Sequence, residues 1–132
     1  MNLTRSSPPL VVVIDDDNAV RESSESLIRS AGFAVCVFES AEQFLNSPSL
    51  RKAACLVLDV RMPGMSGPEL RRRLLLEGYK VPVIFITAAA DEEAKARELS
   101  NGAVAYLTKP FDEEELLPAI DRALKADSKR DD

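Results

Sequence analysis

The sequence predicts a single α/β domain whose core is a parallel sheet of five strands with helices on both faces. Short apolar runs alternate with helix-period segments along the whole chain, which is the pattern of strands joined by right-handed crossover helices. At 132 residues, 45% hydrophobic and 30% charged, the chain has the size and composition of one globular domain with a real core. Acidic, hydroxyl and ammonium side chains stand directly behind several apolar runs. In an open α/β sheet those positions are the carboxyl ends of strands, where ligands bind.

The elements follow in order. Residues 1–9 read as a flexible arm. Leu10 to Ile14 is a β-branched, fully apolar strand that runs into Asp15-Asp16-Asp17. Asn18 is expected to cap a helix reaching about Ala31, with Val20, Leu27, Ile28 and Ala31 as its apolar stripe and Gly32 as its stop. Ala34 to Phe38 is the second strand. Ser40 with Gln43 makes a capping-box pattern that opens a short helix, with Phe44 and Leu45 inward and Pro48 closing it. Cys55 to Leu58 is the third strand, ending in Asp59, and Met62-Pro63-Gly64 forces a turn. Gly67-Pro68 opens a helix that turns Leu70, Leu74 and Leu75 inward and stops near Gly78. Val81 to Thr87 is the fourth strand, with proline tolerated at its start. Asp91 to Ser100 is a charged helix ended by Asn101-Gly102. Ala103 to Thr108 is the fifth strand, followed at once by Lys109-Pro110. Asp112 with Glu115 caps the last helix. Residues 10–126 thus form one domain, and 127–132 read as a polar tail or the start of a linker. No internal repeat and no shift of composition marks a second domain.

Composition excludes several functions. The net charge is −5 with no basic stripe, so direct nucleic-acid binding by this domain is not expected. No apolar run approaches the ~20 residues that span a bilayer. The first nine residues lack the apolar core of a signal peptide, so a cytoplasmic location is expected. The chain has no histidine, which excludes a Ser-His-Asp triad, a Cys-His dyad, an imidazole base and a histidine phosphocarrier. Cys36 and Cys55 sit inside apolar runs and read as small core residues.

The parallel arrangement gathers Asp15, Asp16, Asp17, Asp59, Thr87 and Lys109 on one rim. Taken singly, each has an ordinary reading. Asp17 favours a helix start, Asn18 is a cap, Thr87 is a β-former, Lys109 is solvated, and Asp59 begins a loop. Their joint placement points elsewhere. Clustered carboxylates repel unless a cation compensates, and an oxygen-only donor set suits a hard ion such as Mg²⁺. Acids with Mg²⁺, one ammonium and one hydroxyl can neutralise and orient a phosphoryl group, and a carboxylate nucleophile in such a site forms an aspartyl phosphate. A small Mg²⁺-dependent phosphatase acting on metabolites would use the same chemistry. No long loop or extra domain is seen to cover a small substrate, and no Gly-x-x-x-x-Gly-Lys or Gly-x-Gly-x-x-Gly segment supports nucleotide binding.

Four segments, Val12-Val13-Ile14-Asp15-Asp16-Asp17, Leu56-Val57-Leu58-Asp59-Val60-Arg61-Met62-Pro63-Gly64-Met65-Ser66-Gly67, Ile84-Phe85-Ile86-Thr87-Ala88 and Leu107-Thr108-Lys109-Pro110-Phe111, occur in this order. Over about residues 10–125 the chain resembles the receiver domain of two-component response regulators, most of all the FixJ-like branch. The resemblance implies a flavodoxin-like (βα)5 three-layer sandwich with strand order 2-1-3-4-5. It implies that Asp59 accepts a phosphoryl group from a phosphohistidine on a sensor histidine kinase. Asp16 would bind Mg²⁺ directly, with Asp59 and the backbone carbonyl of Arg61, and Asp15 through a metal-bound water. Lys109, joined to Pro110 by a cis peptide, would pair with the phosphoryl group. Thr87 and Tyr106 would form a switch pair acting on the face made by the helix at 91–100, the strand at 103–108 and the last helix.

The module implied is a signalling domain, with only self-catalysed phosphotransfer and autodephosphorylation as enzymatic traits. Its output is transcription if a DNA-binding domain follows, as in many branch members, or protein–protein interaction by a stand-alone receiver. A phosphorylation-dependent homodimer belongs to the same picture. The sequence departs from the branch at Ala88-Ala89-Ala90-Asp91, where glycine and histidine are usual, and Pro118 is expected to kink or restart the last helix. The strand order implied sets one strand between Cys36 and Cys55, roughly 9–10 Å across. A disulfide needs Cα atoms within about 7 Å, so none is expected.

Overall fold

A computed structural model describes residues 8–89 and 91–130, with 127–130 as backbone alone. Residues 1–7 of the expected arm, Ala90, and residues 131–132 of the expected tail lie outside the described residues. The elements are β1 (Leu10–Ile14), α1 (Asn18–Ser30), β2 (Ala34–Phe38), α2 (Ala41–Leu45), α3 (Ser49–Lys52), β3 (Ala53–Asp59), α4 (Gly67–Leu76), β4 (Val83–Thr87), α5 (Glu92–Ser100), β5 (Ala105–Thr108) and α6 (Glu113–Arg130). All strand pairs are parallel, in the order β2-β1-β3-β4-β5. This is the flavodoxin-like order expected.

Each strand is apolar on both sides because each side meets a helix layer. Val12, Ile14, Leu56, Leu58 and Phe85 pack on one face with Phe44, Leu70 and Leu74. Their neighbours Val11, Val13, Val57, Ile84 and Ile86 pack on the other with Ile28, Leu116 and Ile120. The alternation has the period of two that a pleated strand imposes. Full burial of such a side chain contributes about 1.5–3 kcal/mol, so the central strands hold the carboxyl-end rim rigidly. The pairings Val12↔Cys36 and Val11↔Cys55 put β1 between the two cysteines, and no disulfide joins them.

Several local expectations change. Asp17, not Asn18, caps α1: its Oδ1 accepts from the N–H groups of Ala19 at 2.9 Å and Val20 at 3.4 Å. Both residues are good caps, and Asp17 alone has the extended backbone a cap requires. Ala31 of the expected stripe is exposed. Pro48 does not end α2, which stops at Leu45, but leads into the one-turn helix α3. Ser66 forms a reciprocal capping box with Glu69 at the start of α4. Leu75 is 48% exposed rather than inward. β4 begins at Val83 and β5 at Ala105, two residues later than expected in each case. α6 runs from Glu113 through Pro118 to Arg130, past the start of the expected tail. No helix of the described residues is long and apolar enough to cross a membrane.

Candidate functional site

Asp15 follows β1 and remains tied to the sheet, its N–H donating to the Phe38 carbonyl at 3.1 Å. Its side chain is fully buried. Oδ1 accepts from the Asp17 N–H at 2.8 Å, which folds the chain back so that Asp17 can start α1. Arg21, one turn into α1, donates to the Asp15 carbonyl at 2.7 Å and to Asn18 Oδ1 at 3.0 Å. Arg21 is therefore a support of this rim that sequence reading missed.

Asp59 is the last residue of β3 and is 4% exposed. Its Oδ1 accepts from the Arg61 N–H at 3.3 Å. Val60 N–H donates to Ile86 O at 2.9 Å, and Gly67 N–H to Val60 O at 3.0 Å, so the β3–α4 loop is tied at its base to the end of the sheet. Position 67 must be glycine, since a Cβ there would collide with the Asp59 carbonyl oxygen.

Lys109 enters from the end of β5. Its N–H donates to Thr87 O at 2.7 Å, and its peptide bond to Pro110 is cis. The ammonium lies 2.7 Å from Asp15 Oδ2 and 3.6 Å from Asp59 Oδ2. The shorter contact makes Asp15 Oδ2 the closest partner of the ammonium. Thr87 is 2% exposed; its hydroxyl accepts from Ala89 N–H at 3.2 Å and donates to Ala89 O at 3.4 Å. Tyr106 pairs with Phe85 across β4 and β5, with ring centroids 6.1 Å apart. By the period of two, Phe85 and Thr87 share the face on which Tyr106 lies.

Asp15, Asp16 and Asp59 each offer a carboxylate oxygen within 4.8 Å of the others, with Asp16 exposed and the other two buried. Burial, then the Asp15 charge, push the Asp59 carboxyl up to about 7, against the pull of Lys109 and the Arg61 N–H. Burial pulls the Lys109 ammonium down, but the Asp15 carboxylate, aided by that of Asp59, outweighs it and holds the group above its usual range. Burial also raises the Tyr106 phenol, with Asp91 and Glu98 adding to it. One ammonium among three carboxylates leaves the cluster short of positive charge. Three converging carboxylate oxygens, an all-oxygen donor set, fit a hard divalent cation.

The sequence-predicted residues Asp15, Asp16, Asp59 and Lys109 converge. Thr87 closes the neighbouring strand end with its hydroxyl turned into its own loop. Asp17 is spent on capping α1. Arg61 meets Asp59 through its N–H.

A family model described as Response regulator receiver domain matches residues 11–121. The chain is 47% identical over 116 residues to Response regulator protein TodT of Pseudomonas putida, covering 88% of this chain and 51% of TodT. It is 37% identical over 115 residues to Transcriptional regulatory protein FixJ of Bradyrhizobium diazoefficiens, covering 87% of this chain and 56% of FixJ. Its structure is similar to that of the response regulator StyR, with a TM-score of 0.86 and 44% identity over 94% of this chain and 63% of that one. The chain spans about half the length of the curated relatives it matches.

Proposed function

Since this chain belongs to the response regulator receiver family, with FixJ among its relatives, we propose that Asp59 is its phospho-acceptor and that phosphorylation switches an output surface. Receiver domains are the signalling domains of two-component systems, and response regulators partner with sensor kinases. The observation that carries the reading is a buried carboxylate, Asp59, at a strand end with the Lys109 ammonium and two further carboxylates beside it. An Asp59 oxygen attacks the phosphorus of a kinase phosphohistidine, the P–N bond breaks, and the imidazole leaves. Lys109 stands close enough to Asp59 to meet one phosphoryl oxygen as a point charge. The Arg61 N–H, on Asp59 Oδ1, orients the nucleophile.

The residues present fit Mg²⁺. Asp16, Asp59 and the Arg61 backbone carbonyl would hold it, with Asp15 acting through a water. When bound it supplies positive charge for the phosphoryl oxygens. Thr87 and Tyr106 are the proposed switch pair, acting on the face formed by α5, β5 and α6. A homodimer formed on phosphorylation, a cytoplasmic setting and autodephosphorylation belong to the same proposal. The output is transcription if a DNA-binding domain follows, as the name of FixJ suggests; a stand-alone receiver would act through protein contacts.

A metabolite phosphatase is less well supported. Two surface cavities, of about 430 and 330 Å³, lie along α1 and between α4 and α5, and neither is lined by the acids of the rim. The test is Asp59→Asn, nearly isosteric with wild type. Acetyl phosphate with Mg²⁺ is expected to label the wild type once and the variant not at all, with the fold unchanged by circular dichroism. Labelling of the variant at the wild-type rate would refute the assignment.

A further inference from the structure

We propose that Glu42, on α2, is a positioning residue for the cation end of this site, holding the β3–α4 loop from outside it. The inference rests on the receiver reading above. Glu42 Oε2 accepts a hydrogen bond from the Met65 N–H at 3.0 Å, across 23 residues of sequence. Gly64 makes that approach possible. Its φ is +77°, and a Cβ at position 64 would stand 2.9 Å from the same Oε2. The carboxylate occupies the space that a side chain at 64 would take.

Glu42 is itself well placed to hold something. It lies in the first turn of α2, which Ser40 caps and which the fully buried Phe44 anchors. Gln43 reaches back to the Glu39 N–H, so the end of α2 is satisfied without Glu42. Glu42 is exposed and adds nothing to the core. The reach to Met65 is what its position accomplishes. The loop it holds is otherwise tied near the sheet, by Arg61 N–H on Asp59 and Gly67 N–H on Val60, and by Met62, which is 9% exposed. Its outer turn, 63–65, is held by the Met65 side chain packed against the core and, at the backbone, by Glu42. That loop carries the Arg61 carbonyl, one of the proposed cation ligands. A ligand on a loop free to wander binds more weakly, because the cost of ordering it falls on binding.

The experiment uses the full chain and follows Mg²⁺ titration by amide chemical shifts at Asp16 and Asp59, with hydrogen exchange at the Met65 amide. Glu42→Ala is expected to lose protection at Met65 and to weaken Mg²⁺ by about tenfold, the lower end for outer ligand-orienting contacts. The maximal rate of acetyl phosphate labelling at saturating Mg²⁺ should hold, so that only the Mg²⁺ requirement moves. Glu42→Gln keeps an acceptor oxygen and is expected to restore both protection and affinity. Unchanged Mg²⁺ affinity in Glu42→Ala overturns the role. A fall in Glu42→Gln equal to that in Glu42→Ala overturns it too, since long-range charge would then be the cause. A wild type whose Asp16 and Asp59 amides ignore Mg²⁺ sinks the receiver-site reading, and the positioning role with it.

Discussion

Asp59 is harder to ionise than an ordinary carboxylate because it is buried beside Asp15, and this makes the metal-free protein sensitive to pH. Its folded value of about 7 lies above the ordinary 3.8, so the folded state holds the proton more tightly than the unfolded chain does. The contribution is fully present below about pH 4 and is lost as pH rises through about 7. In chelator, urea unfolding of the wild type should therefore show stability falling from pH 5 to pH 8. Asp59→Asn should flatten that fall and be the more stable protein at pH 8, because it carries no charge into the buried site. Parallel pH profiles for the two proteins would contradict the electrostatic picture. The rim residues were legible in sequence because each follows an apolar run, and a parallel sheet converts that position into a shared edge. Arg21 and Glu42 were not legible. Their partners are the Asp15 carbonyl and the Met65 N–H, groups that nearly every position in a chain offers, so no side-chain pattern marks the contact.

The strands were the clearest elements in the sequence, since burial on both faces leaves them as unbroken apolar runs such as Val11 to Ile14. Helices with short or borderline signals were less clear. The four residues of α3 are too few to show a period, and Leu75 lies about 100° around α4 from Leu74, off its buried stripe. Pro118 was expected to kink or restart the last helix; it does not restart it, since α6 begins five residues earlier, at Glu113, and continues through the proline. The reason lies at the cap. Asp112 Oδ1 accepts from Glu115 N–H at 3.1 Å, and Glu115 Oε1 accepts from Asp112 N–H at 3.4 Å, which fixes the first turn ahead of the proline. Pro118 still lacks the N–H that would reach the Glu114 carbonyl, and its ring crowds that oxygen. It is exposed, so its ring gains little from packing. Pro118→Ala should stabilise the domain by about 1–3 kcal/mol, the helix-interior penalty less the entropy proline removes from the unfolded chain. An unchanged or lower urea midpoint would mean that α6 accommodates the ring without cost.

Across the whole molecule, the proposed switch must carry a signal from Asp59, at the end of β3, to the α5–β5–α6 face. Thr87 and Tyr106 are the candidate carriers because the register Phe85↔Tyr106 sets the tyrosine two residues along the same face from the threonine. Thr87 is not idle in this structure. Its hydroxyl exchanges bonds with the Ala89 N–H and carbonyl, and it must leave them to meet a phosphoryl oxygen. The new bond is charge-assisted, worth about 1.5–3 kcal/mol, and the bonds given up are neutral, worth about 0.5–1.5 kcal/mol each. With two such bonds given up, gain and loss nearly cancel, and a difference of at most about 1 kcal/mol shifts a two-state equilibrium by no more than roughly fivefold. Such a shift suffices only if the active arrangement is already populated without phosphate. Tyr106 is consistent with that, being 6% exposed and already against Phe85. Asp91, two positions beyond Ala89 in sequence, caps α5 through the Ala94 N–H at 3.0 Å, so in the proposed switch a change at 87–89 would act near the start of that helix. The beryllium-fluoride adduct, which stands in for the phosphoryl group on Asp59, should therefore move the amide shifts of Tyr106 and of residues 91–108 in the wild type. In Thr87→Ala the adduct should still form, because Asp59, Lys109 and the acids are untouched. The response at Tyr106 should then largely vanish. A Tyr106 response equal to wild type in that variant would show that the signal leaves Asp59 by another route.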